Sequence, residues 1–426
     1  DLNIDPKALT QLAGGVEVTG DFGSKLSFWM RFHNNSLNGV NPYGVRYPLS
    51  ITRGISRESP DRENPKITYY NIGETAIKGE IKGVRIMTGI FSESWGPGFR
   101  GDLMISDKAP AYPHTRYSVA IGKKLEFTYL WGSLFSGVVD SLRSRLDPGL
   151  SSTEKRTVYI QKKVAAHRLD WYPAHWLRLS FAELIIFSGR SFESLYAFPL
   201  VPFWSAQRYL GDIDNLQMAG EIEILALKTW RFYGSLVVDE INTFKIFDKD
   251  NNRNWIALQG GLAHTGEVFG RVPFILRGEY TFVDPRAYMH RWEETTPSSY
   301  DYPLGFWSGA NSDNIYVGIQ FLDEVFGQLH LYYEHTRKGE YGGQFIEAQY
   351  DRSEVIPFLE TFDGSPHAQR TVWGMELIKR LPWGFWLDLS LLELNHQYIF
   401  DEPGDARYAN SMKLDVNIAL RYNYEF

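Results

Sequence analysis

The last segment of the chain alternates with a period of two. From Leu414 onward the even positions are Leu414, Val416, Ile418, Leu420, Tyr422, Tyr424 and Phe426, and the odd ones are Asp415, Asn417, Ala419, Arg421, Asn423 and Glu425. Successive side chains of a strand point to opposite faces, so this is a strand with one apolar and one mostly polar face. The pattern recurs. Phe274, Leu276, Tyr280 and Phe282 alternate with Arg277, Glu279 and Thr281, and Trp230, Phe232, Leu236 and Val238 with Arg231, Tyr233, Ser235 and Asp239. Ile315, Val317, Ile319 and Phe321 alternate with Tyr316, Gly318 and Gln320. Alternation alone fits two folds: a sandwich with its apolar face inside, or a membrane barrel with lipid outside and a polar lumen.

Connection lengths choose between them. Strands are predicted near 15–20, 24–33, 66–78, 83–91, 115–122, 124–134, 157–170, 176–188, 217–226, 229–247, 254–263, 273–283, 314–322, 328–340, 371–379, 384–398 and 411–426. Short links such as Arg380-Leu381-Pro382-Trp383 alternate with long ones at 34–65, 92–114, 135–156, 189–216, 284–313 and 341–370. Short turns at one end and long loops at the other are how outer-membrane barrels are organised, and a sandwich has no reason to segregate them. The fold expected is all-β: a transmembrane antiparallel outer-membrane β-barrel forming a single domain over 1–426. The 17 predicted strands are odd in number, whereas single-chain bacterial barrels are even, so 18 strands are expected, with 16 as the alternative. The missing strand is sought before Val16 or within 34–65. A lumen that wide needs a plug if it is to be closed, and segments 1–15 and 136–147 are the expected short helices for it.

Composition removes other classes. The chain has no Cys, so disulfide scaffolds, Cys-type zinc sites and thiol nucleophiles are excluded. A net charge of -7 gives no basic excess for nucleic acid. The longest stretch without Asp, Glu, Lys, Arg or His is the 14 residues from Ser194 to Gln207, interrupted by Pro199 and Pro202; a spanning helix needs about 20 apolar residues. The start, Asp1-Leu2-Asn3-Ile4-Asp5, has no apolar core after it, so a signal peptide is expected to have been removed already.

The most distinctive string is Phe91-Ser92-Glu93-Ser94-Trp95-Gly96-Pro97-Gly98-Phe99-Arg100-Gly101-Asp102. Trp-Gly-Pro-Gly makes a tight turn, because Pro presets φ and Gly supplies freedom on both sides. Spacing alone favours a loop that packs Trp95 on its own backbone. The functional reading is a sugar platform, with the ring of Trp95 on a pyranose face and Arg100 and Asp102 bonding its hydroxyls.

The terminal aromatics Tyr422, Tyr424 and Phe426 resemble the last strand of bacterial outer-membrane barrels, which implies recognition by the barrel-assembly machinery. The Trp-Gly-Pro-Gly string, followed by Lys108-Ala109-Pro110-Ala111-Tyr112-Pro113, resembles a stretch of the capsule-assembly Wzi-type outer-membrane proteins. So does His167-Arg168-Leu169-Asp170-Trp171-Tyr172-Pro173, leading to Glu183, which in that family is a turn before a strand. The two regions cover about residues 83–190. The resemblance implies a non-enzymatic, lectin-like barrel in the outer membrane of a Gram-negative-type bacterium, holding capsular or exopolysaccharide among lipid and lipopolysaccharide. It points to Trp95, Arg100, Asp102, Tyr112, His167, Arg168, Trp171 and Glu183 as polysaccharide-binding residues. The alternative is a porin or substrate-selective channel, because charged lumenal faces also suit one.

Other constellations are weaker. Asp248-Lys249-Asp250-Asn251-Asn252 begins like a calcium loop but lacks the Gly and distal Glu, so a solvated hairpin tip is expected. Glu293-Glu294 and Asp401-Glu402 fall on expected external loops. None of the ten His lies in a Gly-x-Ser-x-Gly or His-Glu-x-x-His motif, so no catalytic residue, metal or cofactor is expected. The 65 aromatic residues divide between strand faces, where bilayer girdles need rings, and long loops, where sugar would meet them.

Overall fold

The computed structural model of the protein describes residues 10–38, 58–60, 67–146, 155–240, 254–323, 327–339, 358–359, 368–382, 385–398 and 409–422. Seventeen long strands dominate: β1 (Thr10–Phe22), β2 (Leu26–Asn38), β3 (Ile67–Ile81), β4 (Val84–Phe91), β5 (Tyr112–Ile121), β6 (Leu125–Val139), β7 (Tyr159–Ala174), β8 (Leu177–Ser188), β9 (Asn215–Ala226), β10 (Trp230–Glu240), β11 (Trp255–Val268), β12 (Val272–Val283), β13 (Ser312–Asp323), β14 (Gly327–Lys338), β15 (Ala368–Arg380), β16 (Phe385–Tyr398) and β17 (Ala409–Tyr422). Each pairs antiparallel with the next. A short strand, Glu58–Pro60, pairs with β3 and brings the sheet to 18 strands. It lies within 34–65, one of the two places where the sequence called for a missing strand.

Short turns at 23–25, 82–83, 122–124, 175–176, 227–229 and 269–271 gather at one end, and the connections 92–111, 189–214 and 284–311 leave from the other. Lys82 and Gly83 close their two-residue hairpin with φ of 50° and 81°, the left-handed pair that matches the twist of the flanking strands.

Register sorts the side chains into two populations. Glu279, Tyr316 and Glu334 stand opposite one another on β12, β13 and β14 and are buried on the inner face. One residue along, Val317, Tyr333 and Trp373 form a row on the outer face, where Val317 is 47% and Trp373 59% exposed. Phe32, Ile77, Phe181, Ile222, Phe232, Leu258 and Leu331 are likewise exposed. A water-soluble sheet would bury these rings and branched chains, so the faces are exchanged in the manner of a membrane barrel.

The sheet curls around what fills it. The loop 92–111 touches β10 through Arg231, β11 through Gln259, β12 through Glu279 and β14 through Glu334. The lumen is thus occupied by 92–111 and 284–311, and the described parts of the two segments expected as plug helices are not helical. Thr10 to Gly15 belongs to β1 and residues 1–9 lie outside the described residues. Residues 136–139 end β6, and 141–143 make a turn. Among the described residues the helices are short, α1 (Ser194–Ala197) and α2 (Phe203–Tyr209), and Glu293–Thr295 forms a 3₁₀ turn.

An outer face of this composition requires an apolar solvent. Val317→Arg should therefore cost about 2–4 kcal/mol if the site sits near the bilayer midplane. Denaturant titration of the protein in lipid vesicles, read by intrinsic fluorescence, measures this, and the same titration on Thr19→Arg gives a polar-position reference.

Candidate functional site

The loop 92–111 folds inward as a compact turn. Asp102 is its pivot: its carboxylate accepts from the Gly98 backbone N–H at 3.0 Å and from the Ser94 hydroxyl. The approach explains Gly96, because a Cβ there would lie 2.2 Å from the Asp102 carboxylate oxygen. Trp95 and Ile105 bridge the arms, with the Trp95 N–H donating to the Ile105 carbonyl at 2.9 Å. The Trp95 side chain is 5% exposed, packed with Leu103, Met104, Ile105, Leu304 and Phe306 in an apolar cluster inside the barrel. The second loop joins there: Ser106 N–H donates to Leu304 O at 2.6 Å, and the Tyr288 hydroxyl donates to Leu103 O.

The plug is fastened to the inward row described above. The consecutive N–H groups of Phe99 and Arg100 donate to the two oxygens of Glu279 at 2.6 and 3.0 Å. The Arg100 guanidinium donates to Glu334 through Nε and Nη2, both at 2.8 Å, with Glu334 0% exposed at its side chain. Arg100 sits over the rings of Tyr316 (4.8 Å) and Tyr332 (5.4 Å), and Arg370 and Asn314 complete the shell of Glu334 at 3.0 and 3.2 Å. A bidentate pair with stacked rings is the arrangement that makes a buried guanidinium tolerable. Arg231 donates to Pro97 O at 3.1 Å and Gln259 to Gly101 O at 2.8 Å.

Below the plug, toward the short turns, lies a polar cavity of about 260 Å³ edged by Trp95, Arg85, Arg116, Arg168 and Arg178 with Glu126 and Asp170. Its charges are paired: Arg168 with Asp170 (3.0 Å) and Glu221 (2.7 Å), Arg85 with Glu126, and Arg116 with Glu93 (2.7 Å).

The structure divides the expected site residues across the barrel wall. Arg100, Asp102 and Trp95 belong to the plug. Tyr112 is buried on the inner face beside His114, and Arg168 lines the cavity. The stretch His167 to Trp171 is not a turn. β7 runs on to Ala174, through a register shift between Trp171 and Ala174, and the turn falls at 175–176; alternation holds over 167–171, so His167 and Trp171 point outward. His167 bonds Glu183 through Nε2 at 2.8 Å on that outer face, and Trp171 is half-exposed there. Period-two alternation already forbids His167 and Arg168 from sharing a site. What sequence reasoning missed is Glu334 as the plug's anchor, 234 residues from Arg100, for which no local signal exists. Tyr422 ends β17, while Tyr424 and Phe426, the loop 248–252, and Asp401 and Glu402 lie outside the described residues. Glu293 and Glu294 sit in the 3₁₀ turn of the second inward loop. Among the described residues no cluster of three His, Asp or Glu is arranged to hold a metal.

On the long-loop rim, aromatic rings gather. Tyr300 stacks on Phe135 at 4.3 Å between centroids, Tyr159 packs edge-on against Phe135 at 4.7 Å, and Trp292 is about half-exposed nearby on the same loop.

The fold is similar to that of Wzi of Escherichia coli, an outer membrane protein involved in group 1 capsule assembly and a carbohydrate-binding β-barrel. The TM-score is 0.57 at 12% identity, over 96% of this chain and 82% of that one. OccAB2 of Acinetobacter baumannii aligns at TM-score 0.46 and 9% identity, over 96% of this chain and 92% of that one. A BenF-like porin of Pseudomonas fluorescens Pf-5 aligns at 0.44 and 8%, over 97% and 91%. At such identities the first likeness speaks for the barrel fold alone, and the two lower scores carry no argument. No protein-family model matches the sequence, and no curated protein does.

Two outcomes follow for the plug. Glu334→Gln leaves Arg100 without its full counter-charge, at a cost of about 3–5 kcal/mol for a broken buried pair. Limited trypsin digestion should then cut after Arg100 in the variant and spare the parent. Burial pushes the Asp102 carboxyl from 3.8 up to about 7, against hydrogen bonds from Ser94 and Gly98 that hold it down. The folded turn therefore binds this proton more tightly than the unfolded chain does, so its stability falls as pH rises from 3.8 to about 7 and levels off above. Asp102→Asn should remove that dependence, measured as tryptic susceptibility of the loop across the same pH range.

Proposed function

We propose that this protein is a non-enzymatic β-barrel of a Gram-negative-type outer membrane that holds capsular or exopolysaccharide at the cell surface, as the Wzi-type proteins it resembles do. The observation that carries this reading is the clamped plug. A loop fixed by Glu279, Glu334, Gln259 and Arg231 occupies the lumen through protein–protein contacts, which suits a surface-binding barrel better than an open pore. Wzi, with the same barrel fold, is itself a carbohydrate-binding barrel.

In this reading the sequence-derived residues divide their work. Trp95, Arg100 and Asp102 build the plug, Tyr112 backs it from the wall, Arg168 holds the lumenal charge network under it, and the rim presents rings to the glycan. Trp292 and Tyr300 supply faces for pyranose stacking, with Glu293 and Asp301 near enough in sequence to bond hydroxyls. Outer-leaflet lipid and lipopolysaccharide surround the wall.

The second reading, a substrate-selective channel, is favoured by the polar cavity beneath the plug, whose lining of charged side chains of both signs would suit a polar solute. One pair of measurements separates the two. In planar bilayers the lectin reading expects silence from the parent protein and conductance only in Glu334→Gln. In pull-down with the host's capsular or exopolysaccharide it expects retention by the parent and about a tenfold loss in the Trp292→Ala, Tyr300→Ala double variant, the scale of one or two aromatic contacts. Steady conductance of the parent without polysaccharide retention would establish the channel instead.

A further inference from the structure

The connection 189–214 does not stand above the barrel. It folds down along the outside of the wall. Phe203 stacks on His167 at 4.3 Å, and Tyr196, Phe203 and Ala206 are buried against Tyr129, Ala165, Ile185 and Phe187. The outer face of β7 and β8 is covered there, and Tyr129 of β6 and Leu216 of β9 pack into the same cluster.

The latch is polar. Glu183 accepts from His167 Nε2 at 2.8 Å and from the Phe203 N–H at 2.8 Å, while His167 Nδ1 faces the Pro199 carbonyl at 3.1 Å. The Tyr129 hydroxyl donates to Tyr196 O at 2.7 Å. Glu183 lies six residues above the start of β8, about 20 Å along the strand and, with the usual tilt, about 15 Å in height. A barrel's apolar band is about 25 Å tall, so this pair sits within it. An ionisable pair facing acyl chains is costly unless its bonds are satisfied and it is covered. The flap does both.

The other side of the flap has the opposite character. Phe198, Leu200 and Trp204 are 60%, 72% and 55% exposed. They lie in the 14-residue stretch from Ser194 to Gln207 that carries no charge. This exposed surface continues the outward apolar row of Phe181 and Ile222 on the strands beside it.

We infer that residues 189–214 form a wing embedded in the long-loop-side leaflet of the membrane, latched to the wall by His167 and Glu183, with Phe198, Leu200 and Trp204 packed among lipid acyl chains. The occupant of this surface is lipid because it is continuous with the outward face of the barrel and the stretch 194–207 that forms it carries no charge, the exposed Arg208 and Asp212 beyond it marking its polar edge. The inference rests on the membrane-barrel reading and adds a lipid-binding element beyond the strands.

The absence of Cys makes the test clean. Single variants Trp204→Cys, Leu200→Cys, Phe232→Cys and Leu142→Cys carry a nitroxide in proteoliposomes, and their collision with oxygen and with a water-soluble nickel chelate is compared. Phe232 reports the strand wall, and Leu142, 86% exposed beyond β6, reports the aqueous loop end. Labels at 204 and 200 are expected to match 232, favouring oxygen several-fold over 142. Adding His167→Ala should free the 204 label, seen as narrowed lines. Labels at 204 and 200 that match 142 while 232 stays with lipid overturn the wing and leave the barrel reading intact. Nickel access at 232 as well overturns the membrane reading and the wing with it.

Discussion

Every second side chain of these strands faces a lumen, and the polar ones among them have to be satisfied inside it. Glu279, Glu334 and Glu221 are all nearly inaccessible. An unpaired carboxylate there would cost several kcal/mol. Arg100 and Arg168 answer two of them, the first from a loop and the second from the wall itself. The pair between Arg100 and Glu334 is the one on which the interior depends, because it joins an element that can leave to a wall that cannot. The two N–H groups offered to Glu279 belong to Phe99 and Arg100, so backbone and side chain of one short segment neutralise two neighbouring carboxylates.

That arrangement makes the plug a docked body with its own core. Trp95, Leu103, Met104 and Ile105 of one loop and Leu304, Phe306 and Trp307 of the other pack together, and the same cluster takes in Leu130, Leu184 and Ile186 of the wall. Gly96 and Asp102 are needed for the turn that lets this happen. The turn is thus a folding element, and its aromatic ring is spent on packing, which leaves glycan contact to rings at the rim. A lumen occupied in this way has a small polar remainder below it, the cavity around Arg168 and Arg178, whose paired charges need no solute to balance them.

The strands were legible because the period of two is imposed by backbone geometry and each strand carries it alone. All seventeen expected segments correspond to observed strands. The one expected at 314–322 is Ser312–Asp323, and that at 115–122 begins earlier, at Tyr112. The ends drifted where polar rim residues give no alternation to read. The plug was not legible because its defining contacts join positions such as 100 and 334, or 106 and 304, through space alone. The helices expected at 1–15 and 136–147 rested on local sequence, which says nothing about which loop the lumen holds.

One signal of the interior and the wing together was present in the sequence. In β8 the alternation fails: Leu184, Ile185, Ile186 and Phe187 are apolar in succession, as are Val164, Ala165 and Ala166 in β7. A strand that is apolar on both faces is buried on both faces. In a membrane barrel lipid accounts for the outer face and leaves the inner one to be explained, which requires an apolar body in the lumen at that point. Leu184 and Ile186 do meet the plug cluster, while Ile185 and Phe187 meet the wing. Glu183, one residue before the run, points to the same side as Ile185 and Phe187, so a carboxylate stands on the face assigned to lipid. Its presence there requires a cover on the outside, because hydrocarbon cannot satisfy it. The run and the misplaced carboxylate therefore call for a plug within and a wing without at one height of the wall. Small residues at Ala165 and Ala166 let both approach the same strand.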